Sequence, residues 1–286
     1  MLSVLGASAN LKIAVLHPLL GDLAQQVGGD RVTVTDLLGP NGDPHHFEPT
    51  PAQLRQAGSL DLVLACGVGL EADLPTLRSL LPPATPLFEV GSTLPTIEGS
   101  CADPSHDHST HQHGKDPHWW HSVEQVRRAV TSLETEFTRL DPDGQKTYHD
   151  RALAYRQTLD ALDRWVRREV ARIPRDRRIL ATSHAAFGYF CHEHEFQQVA
   201  VQGLTREQMP DAQTLAKTFS QLRSQHVRVI FPEKGNNPAT LQALVQDGGL
   251  QLGPALDADG THSASFEAMM RSNVAAIRQT LTTAPH

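Results

Sequence analysis

The sequence has no apolar run approaching the roughly 20 residues needed to cross a bilayer, so no membrane insertion of the mature chain is expected. Basic residues are not in excess: the 286 residues carry a formal net charge of −7, which argues against a nucleic-acid-binding protein. The H-E-x-x-H, G-x-S-x-G and P-loop motifs are absent, so the sequence contains none of these signatures of a common enzymatic reaction. These absences favour a soluble binding protein that is not an enzyme.

Cysteine is scarce, and its spacing excludes one kind of metal site. The three cysteines form no C-x-x-C pair, so a zinc site built from thiolates is not expected. Cys66 lies in the apolar run DLVLACG and is predicted to be a small core residue. One disulfide could form among Cys66, Cys101 and Cys191 in an oxidising compartment, and the sequence does not select the pair.

The first ten residues, MLSVLGASAN, form a short and mostly apolar segment. The small residues before Asn10 resemble the cleavage site of a secretory signal, although a basic region and a longer apolar core are missing. We interpret residues 1–10 as a signal-peptide remnant; the alternative is a disordered tail. A signal remnant predicts a periplasmic or otherwise extracytoplasmic protein.

Short apolar segments alternate with helical patterns along the whole chain. This alternation is typical of βαβ units and a mainly parallel sheet. Eight strands are predicted, at residues 11–17, 31–38, 61–67, 86–90, 177–183, 197–203, 227–233 and 250–256. The chain is therefore predicted to form two α/β lobes of similar build.

One long helix is predicted between these halves. No proline or glycine occurs between Gly144 and Arg172, and the large apolar and alanine positions recur in steps of three and four residues. These positions are Tyr148, Ala152, Tyr155, Leu159, Leu162, Val166 and Val170. At 1.5 Å per residue the helix would be about 40 Å long.

This helix sets the predicted domain boundaries. We predict an N-terminal lobe at 11–142, a bridging helix at 143–173 and a C-terminal lobe at 174–286. A rigid bridge favours a fairly preformed site in the cleft between the lobes. The alternative is a long surface helix on a single domain.

Histidines at loops and strand ends indicate where a metal ion could bind. His45 and His118 each end an Asp-Pro-His tripeptide, His184 follows the fifth predicted strand, and Asp257 lies at the end of the last. Ligands of open α/β sheets bind beyond the carboxyl ends of the strands, so these residues could converge on the cleft. Three imidazoles and a carboxylate form a ligand set that suits Zn²⁺ and can also bind Mn²⁺. The alternative is that some of these histidines cap loops or form hydrogen bonds in the core.

Several segments, in order along the chain, resemble the metal-specific solute-binding proteins of ABC transporters. They are HPLLGDLAQQVGGDRVTVTDLLGPNGDPHHFEPTP, the histidine-rich loop with DPHWW, TSHAAFGYF and FEAMMRSN. The likeness runs from about residue 11 to the C-terminus. It implies two α/β lobes bridged by one long helix, a zinc or manganese cargo, and an ABC permease as the partner.

The resemblance also implies a set of metal ligands. The family's first three ligand positions match His45, His118 and His184, and histidine at the third resembles the zinc type, because manganese receptors often carry glutamate there. Asp257 matches the aspartate that some members use as the fourth ligand. Glu233 matches a recurrent glutamate near the cleft and is the alternative fourth ligand.

Two neighbours of these residues need separate treatment. His46 could compete with His45, but adjacent side chains of an extended loop point in opposite directions, and we favour His45. The DPHWW segment departs from the family pattern in its second tryptophan and in His121, where relatives commonly carry leucine and aspartate. Because of this departure, the family pattern does not predict the shape of the loop. It still predicts His118 as a ligand.

Four further histidines fall in a polar segment at residues 106–113. A segment of this composition forms no core, so we predict a mobile loop that binds metal weakly. The alternative is a solvated insertion with incidental affinity for metal. The residues of this predicted secondary metal loop are His106, His108, His111 and His113.

Taken together, the patterns and the resemblance predict a monomeric, extracytoplasmic, high-affinity Zn²⁺ receptor that delivers the ion to an ABC-type metal-uptake permease. The alternatives of the same fold are a manganese receptor and a periplasmic zinc chaperone. A zinc-dependent hydrolase is a weaker alternative, because its metal needs an open position for water and a nearby base.

Overall fold

The computed structural model describes residues 10–39, 42–99, 114–202, 211–235, 241–242, 245 and 249–283. The predicted signal remnant before Asn10, the predicted metal loop at 106–113 and Cys101 lie outside these residues. Among the described residues, Cys66 and Cys191 are buried in the core.

The first half of the chain forms a four-stranded parallel sheet. Its strands are β1 (Leu11–Val15), β2 (Val32–Asp36), β3 (Leu62–Ala65) and β4 (Leu87–Glu89). They lie in the order β2-β1-β3-β4, with Val15 opposite both Asp36 and Leu64. All four residues of β3 are buried, which is typical of a parallel strand covered on both faces.

Each helix that connects these strands has a proline at its first or second position. The helices are α1 (Pro18–Gly28), α2 (Pro51–Ala57) and α3 (Leu74–Leu80). The Thr50 hydroxyl accepts a hydrogen bond from the Gln53 backbone amide, and the Gln53 side-chain oxygen accepts one from the Thr50 backbone amide. Thr50 therefore caps α2, and Pro51 is its first residue.

The second half repeats the strand order of the first. Its strands are β5 (Ile179–Thr182), β6 (Gln197–Ala200), β7 (Val229–Ile230) and β8 (Gln251–Leu252). β5 pairs with β6 and β7 pairs with β8, all in parallel. A parallel bridge between Thr182 and Phe231 joins the two pairs, and the Phe231 amide donates to the Ala181 carbonyl at 2.8 Å. The resulting order β6-β5-β7-β8 corresponds to β2-β1-β3-β4.

Five further helices complete the described elements: α4 (Val123–Leu140), α5 (Gln145–Ala171), α6 (Gly188–His194), α7 (Ala212–Ser224) and α8 (Phe266–Thr283). Helix α5 has 27 residues, which corresponds to about 40 Å. All seven positions predicted to share its apolar face are buried. The predicted α/β fold with parallel sheets and one long helix is confirmed.

The chain forms two compact units, each built from two stretches of sequence. One contains the residues up to Leu94 together with Arg127–Leu159, and the other contains Pro95–Val126 and the residues from Asp160 onward. The predicted domain boundaries cut the chain at other places and stay a prediction. None of the helices within the described ranges is both long enough and apolar enough to span a bilayer.

Candidate metal centre

Polar side chains collect at the carboxyl ends of the strands in the second unit. His184 lies in the turn between β5 and α6, Glu233 follows β7, and Asp257 and Asp259 follow β8. All four are buried. Parallel strands place their carboxyl ends at one edge of the sheet, where α/β proteins bind ligands.

His118 is held by the aspartate two residues before it. One oxygen of Asp116, Oδ1, accepts hydrogen bonds from the His118 backbone amide at 2.9 Å and from the His118 Nδ1 at 2.8 Å. A carboxylate oxygen only accepts, so Nδ1 carries the proton, and the opposite nitrogen, Nε2, is the one suited to bind a metal ion. The Asp-Pro-His tripeptide therefore orients its own histidine.

The position of Asp116 depends on a glycine. The other carboxylate oxygen of Asp116 lies against Gly188, the first residue of α6, and a Cβ at this position would collide with it. Gly188 thus permits the close approach that places Asp116 behind His118.

His184 is held by Glu233 in a similar way. Its backbone amide donates to Glu233 Oε1 at 2.9 Å, and its Nδ1 lies 2.7 Å from Glu233 Oε2. The Thr182 hydroxyl also donates to the His184 carbonyl at 2.8 Å, which fixes the turn after β5. Glu233 therefore faces the imidazole as an orienting carboxylate.

The carboxylate beside the two imidazoles belongs to Asp259. His118, His184 and Asp259 are buried, and each offers a ligand atom within 4.8 Å of those of the other two. The ring centroids of His118 and His184 lie 5.2 Å apart, and the two rings are arranged edge to face. Two nitrogens and a carboxylate oxygen at this spacing are donors that suit Zn²⁺ and other divalent ions.

Asp257, the aspartate predicted from sequence, has a different environment. Its Oδ2 accepts hydrogen bonds from the Ser263 hydroxyl at 2.5 Å and from the His262 amide at 3.2 Å. Its backbone amide donates to Asn273 Oδ1, and its carbonyl accepts from Asn273 Nδ2. These four bonds anchor the segment after β8 and engage the Asp257 carboxylate away from a ligand role.

His121, which the sequence left without a role, is fully buried next to this site. Burial, reinforced by His118, lowers the pKa of the His121 imidazole to about 3, so the ring is neutral near pH 7. Its Nε2 lies 2.8 Å from the carbonyl oxygen of Ala258, the residue between the two aspartates.

His45 belongs to the other compact unit and lies in a turn between β2 and α2. Its backbone amide donates to Asp43 Oδ1 at 3.0 Å, and its side chain is buried. The neighbouring His46 side chain is 50% exposed. This difference supports the preference for His45 over His46.

Asp259 and Asp116 are the candidate site residues that sequence reasoning missed. Asp259 lies two positions after Asp257, and two side chains this close in a loop cannot be ranked from sequence. Asp116 could have been predicted from the sequence, because an aspartate two residues before a ligand histidine can accept hydrogen bonds from the backbone amide and the ring of that histidine.

The α/β scaffold buries imidazoles and a carboxylate within 4.8 Å of one another, an arrangement that could hold a metal ion. Residues 13–280 match the ZnuA family, described as zinc-uptake complex component A, periplasmic, and the chain belongs to this family. It is a metal-binding solute-binding receptor of the ABC transporter type, and the resemblance stated from the sequence is confirmed. Receptors of this family work with ABC permeases.

Similar proteins are named for different metals. The manganese-binding lipoprotein MntA of Bacillus subtilis is 27% identical over 287 residues, which cover 96% of this chain and 91% of MntA. The zinc-binding protein TroA of Treponema pallidum is 27% identical over 266 residues, covering 90% and 84%. Its solved structure superposes with a TM-score of 0.83 over 94% of this chain and 98% of TroA, at 26% identity. The iron-binding protein YfeA of Yersinia pestis is 26% identical over 250 residues, covering 87% and 77%.

Proposed function

We propose that the chain is an extracytoplasmic Zn²⁺ receptor that delivers the ion to an ABC-type metal-uptake permease. The observation that carries the proposal is the pair of buried imidazoles, His118 and His184, each faced at Nδ1 by a carboxylate and both close to Asp259. This arrangement presents preoriented nitrogens, which suits the four-coordinate, tetrahedral sites in which proteins usually hold zinc.

Four protein ligands are proposed for the ion. His118, His184 and Asp259 come from the second unit, and His45 of the first unit supplies the remaining nitrogen, as the family resemblance implies. We assign the carboxylate to Asp259 rather than Asp257, because the Asp257 Oδ2 already accepts two hydrogen bonds. Glu233 is assigned as the orienting partner of His184 rather than as a ligand.

A full set of four protein ligands supports a receptor rather than an enzyme. A catalytic zinc ion keeps a coordination position open for water, whereas an ion bound by four side chains has none. The ion is then cargo that is held and released. Protons compete for the imidazole nitrogens, so affinity falls as the pH is lowered through the range in which histidine titrates.

Zinc is proposed as the cargo because three imidazoles and one carboxylate form a nitrogen-rich site. Manganese prefers oxygen ligands, and most nitrogen- and oxygen-containing sites bind it more weakly than zinc. Since this order holds for almost any such site, affinity in vitro does not identify the cargo, and the test has to include transport.

The remaining features of the proposal concern the protein's setting. A periplasmic or equivalent location is proposed, and it is supported by the description of the family as periplasmic and by relatives that are named as lipoproteins. The receptor is proposed to act as a monomer. The loop at 106–113 is proposed as a weak secondary zinc site through His106, His108, His111 and His113.

The cargo is tested by uptake of labelled zinc and manganese in cells with and without the gene for this chain. We expect loss of zinc uptake and unchanged manganese uptake in the deleted cells, with restoration by the parent chain and not by His184→Ala. Loss of manganese uptake alone would assign the manganese alternative. Intact uptake of both metals would favour the chaperone, and ester hydrolysis by the zinc-loaded protein would favour the hydrolase.

A further inference from the structure

A short helical turn after His118 carries two buried hydrogen-bond donors. The turn spans Trp119–His121. The Trp120 indole donates from Nε1 to the Ala258 carbonyl oxygen at 2.8 Å, and the His121 Nε2 lies 2.8 Å from the same oxygen. Both side chains are almost completely buried. A carbonyl oxygen only accepts, so the neutral His121 ring carries its proton on Nε2 and donates it.

The acceptor residue, Ala258, lies between Asp257 and Asp259, so the two hydrogen bonds to its carbonyl also act on the backbone of Asp259. Asp257 is already fixed by Asn273 and Ser263. The Ala258 carbonyl shares one rigid peptide plane with the amide nitrogen and the Cα of Asp259. Two donors that hold this carbonyl therefore also fix the backbone from which the Asp259 carboxylate projects.

The same turn contacts the segments that carry the two histidines. Trp120 lies two residues after His118, and their rings are 5.3 Å apart. The His121 ring packs on Phe187 with centroids 4.3 Å apart, and Phe187 follows His184 by three residues. Contacts from Trp120 and His121 thus reach the His118, His184 and Asp259 segments of the second unit.

We propose that Trp120 and His121 are positioning residues that hold the Asp259 carboxylate at ligand distance from His118 and His184. The inference rests on the proposed function in one respect, namely that Asp259 binds the metal ion. Neither residue is proposed as a ligand: the Nε2 of His121 is bonded to a carbonyl, and Trp120 offers only a donor. Their effect on affinity is therefore expected to pass through Asp259.

A double-mutant cycle on the full chain tests this route. Zinc affinity is measured by competition with a chromophoric chelator for the parent, His121→Leu, Asp259→Asn and the combined variant. We expect His121→Leu to weaken binding by about tenfold, the size usual for loss of a ligand's supporting contact. In the Asp259→Asn background the same substitution is expected to have almost no further effect.

A spectroscopic signature separates positioning from general loosening of the fold. With Co²⁺ as the probe metal, His121→Leu is expected to shift the visible absorption bands in the direction given by Asp259→Asn. His121→Gln, which restores a donor near the position of Nε2, is expected to recover most of the affinity. His194→Gln, a change at a buried histidine at the end of α6, serves as the control. If His121→Leu does not fold, Trp120→Phe removes the other donor to the same carbonyl.

The outcomes are distinguishable. An equal loss of affinity from His121→Leu in both backgrounds would overturn the positioning role, as would unchanged affinity in His121→Leu when Asp259→Asn binds weakly. Parent-like affinity in Asp259→Asn itself would instead show that the proposed ligand assignment is wrong.

Discussion

At the scale of single residues, the buried histidines of the second unit differ in what their ring nitrogens face. His118 and His184 face carboxylates through Nδ1, which leaves Nε2 for a metal ion. His121 faces a carbonyl through Nε2, which uses that nitrogen as a donor. The residue type is the same, so the partner of each ring decides its role.

The orienting carboxylates give the first prediction. Asp116→Asn and Glu233→Gln keep the side-chain size but remove the negative charge that holds each imidazole tautomer. We expect zinc affinity to fall by about 10- to 100-fold in each variant. Competition titration measures the loss, and Glu98→Gln, which changes an exposed carboxylate paired with Lys115, is the control. Parent-like binding by both variants would contradict the orienting role.

His194 gives a prediction about pH and stability. Burial, reinforced by Arg167, lowers the pKa of its imidazole from 6.5 to about 4. The unfolded chain therefore binds a proton first as the pH falls, so the stability that the neutral ring contributes is complete above pH 6.5 and is lost as the pH falls towards and below 4. The full loss is about 3 kcal/mol.

Urea unfolding with a chelator present, measured between pH 7.5 and 4, checks this expectation. His194→Gln should lose less stability than the parent over this range, because it removes one group that protonates on unfolding. His192→Gln is the matched control, since His192 is exposed on the same helix. If the two variants show the same pH dependence, His194 does not carry the linkage.

Residue-level prediction from the sequence succeeded where the chain geometry is local. His184 was placed at the end of a strand, and the structure has it in the turn directly after β5. The choice between Asp257 and Asp259 could not be made in advance, because it depends on bonds to Asn273 and Ser263. Those partners lie 6 to 16 residues away, beyond the reach of a local pattern.

At the scale of elements, α5 shows that the spacing of apolar residues predicts which face of a helix is buried. The seven positions of the predicted apolar face, from Tyr148 to Val170, are all buried, because side chains three and four residues apart share one face of a helix. The strands were located correctly but predicted too long. β7 and β8 have only two residues each, and the two segments pair again only at an isolated parallel bridge between Glu233 and Leu256.

Two leucines on α5 allow a matched test of this face. Leu159 is fully buried, whereas Leu153 is 46% exposed. Leu159→Ala removes the same atoms as Leu153→Ala but leaves a cavity, so we expect it to cost about 2–5 kcal/mol of unfolding free energy. Leu153→Ala is expected to cost less than 1 kcal/mol, approximately. Equal losses in chemical denaturation would show that the predicted face is not the packed one.

At the scale of the whole molecule, the α/β class with parallel sheets and a long helix was predictable because strands and helices alternate along the sequence. The common strand order of the two halves was not predictable, since it depends on which strands pair. Neither was the division into two units that each draw on separate stretches of chain. Such long-range pairings leave no periodic signal in the sequence.

The histidine-rich segment gives a prediction about stoichiometry. Deletion of residues 106–113 should leave one tight zinc site and remove only weaker binding, because the proposed ligands lie elsewhere in the chain. Calorimetry of the parent and the deletion variant checks this, and replacement of the four histidines by glutamine is the control that keeps the loop length. Loss of the tight site in both variants would show that the loop supplies a ligand.

The central claim is that one ion binds to His45, His118, His184 and Asp259. Anomalous diffraction at the zinc edge from crystals of the zinc-loaded protein tests it most directly. The account predicts one dominant peak about 2.0–2.2 Å from a nitrogen of each histidine and from an Asp259 oxygen. A dominant peak bound by Asp257 or Glu233 instead of Asp259, or one remote from His118 and His184, would contradict it.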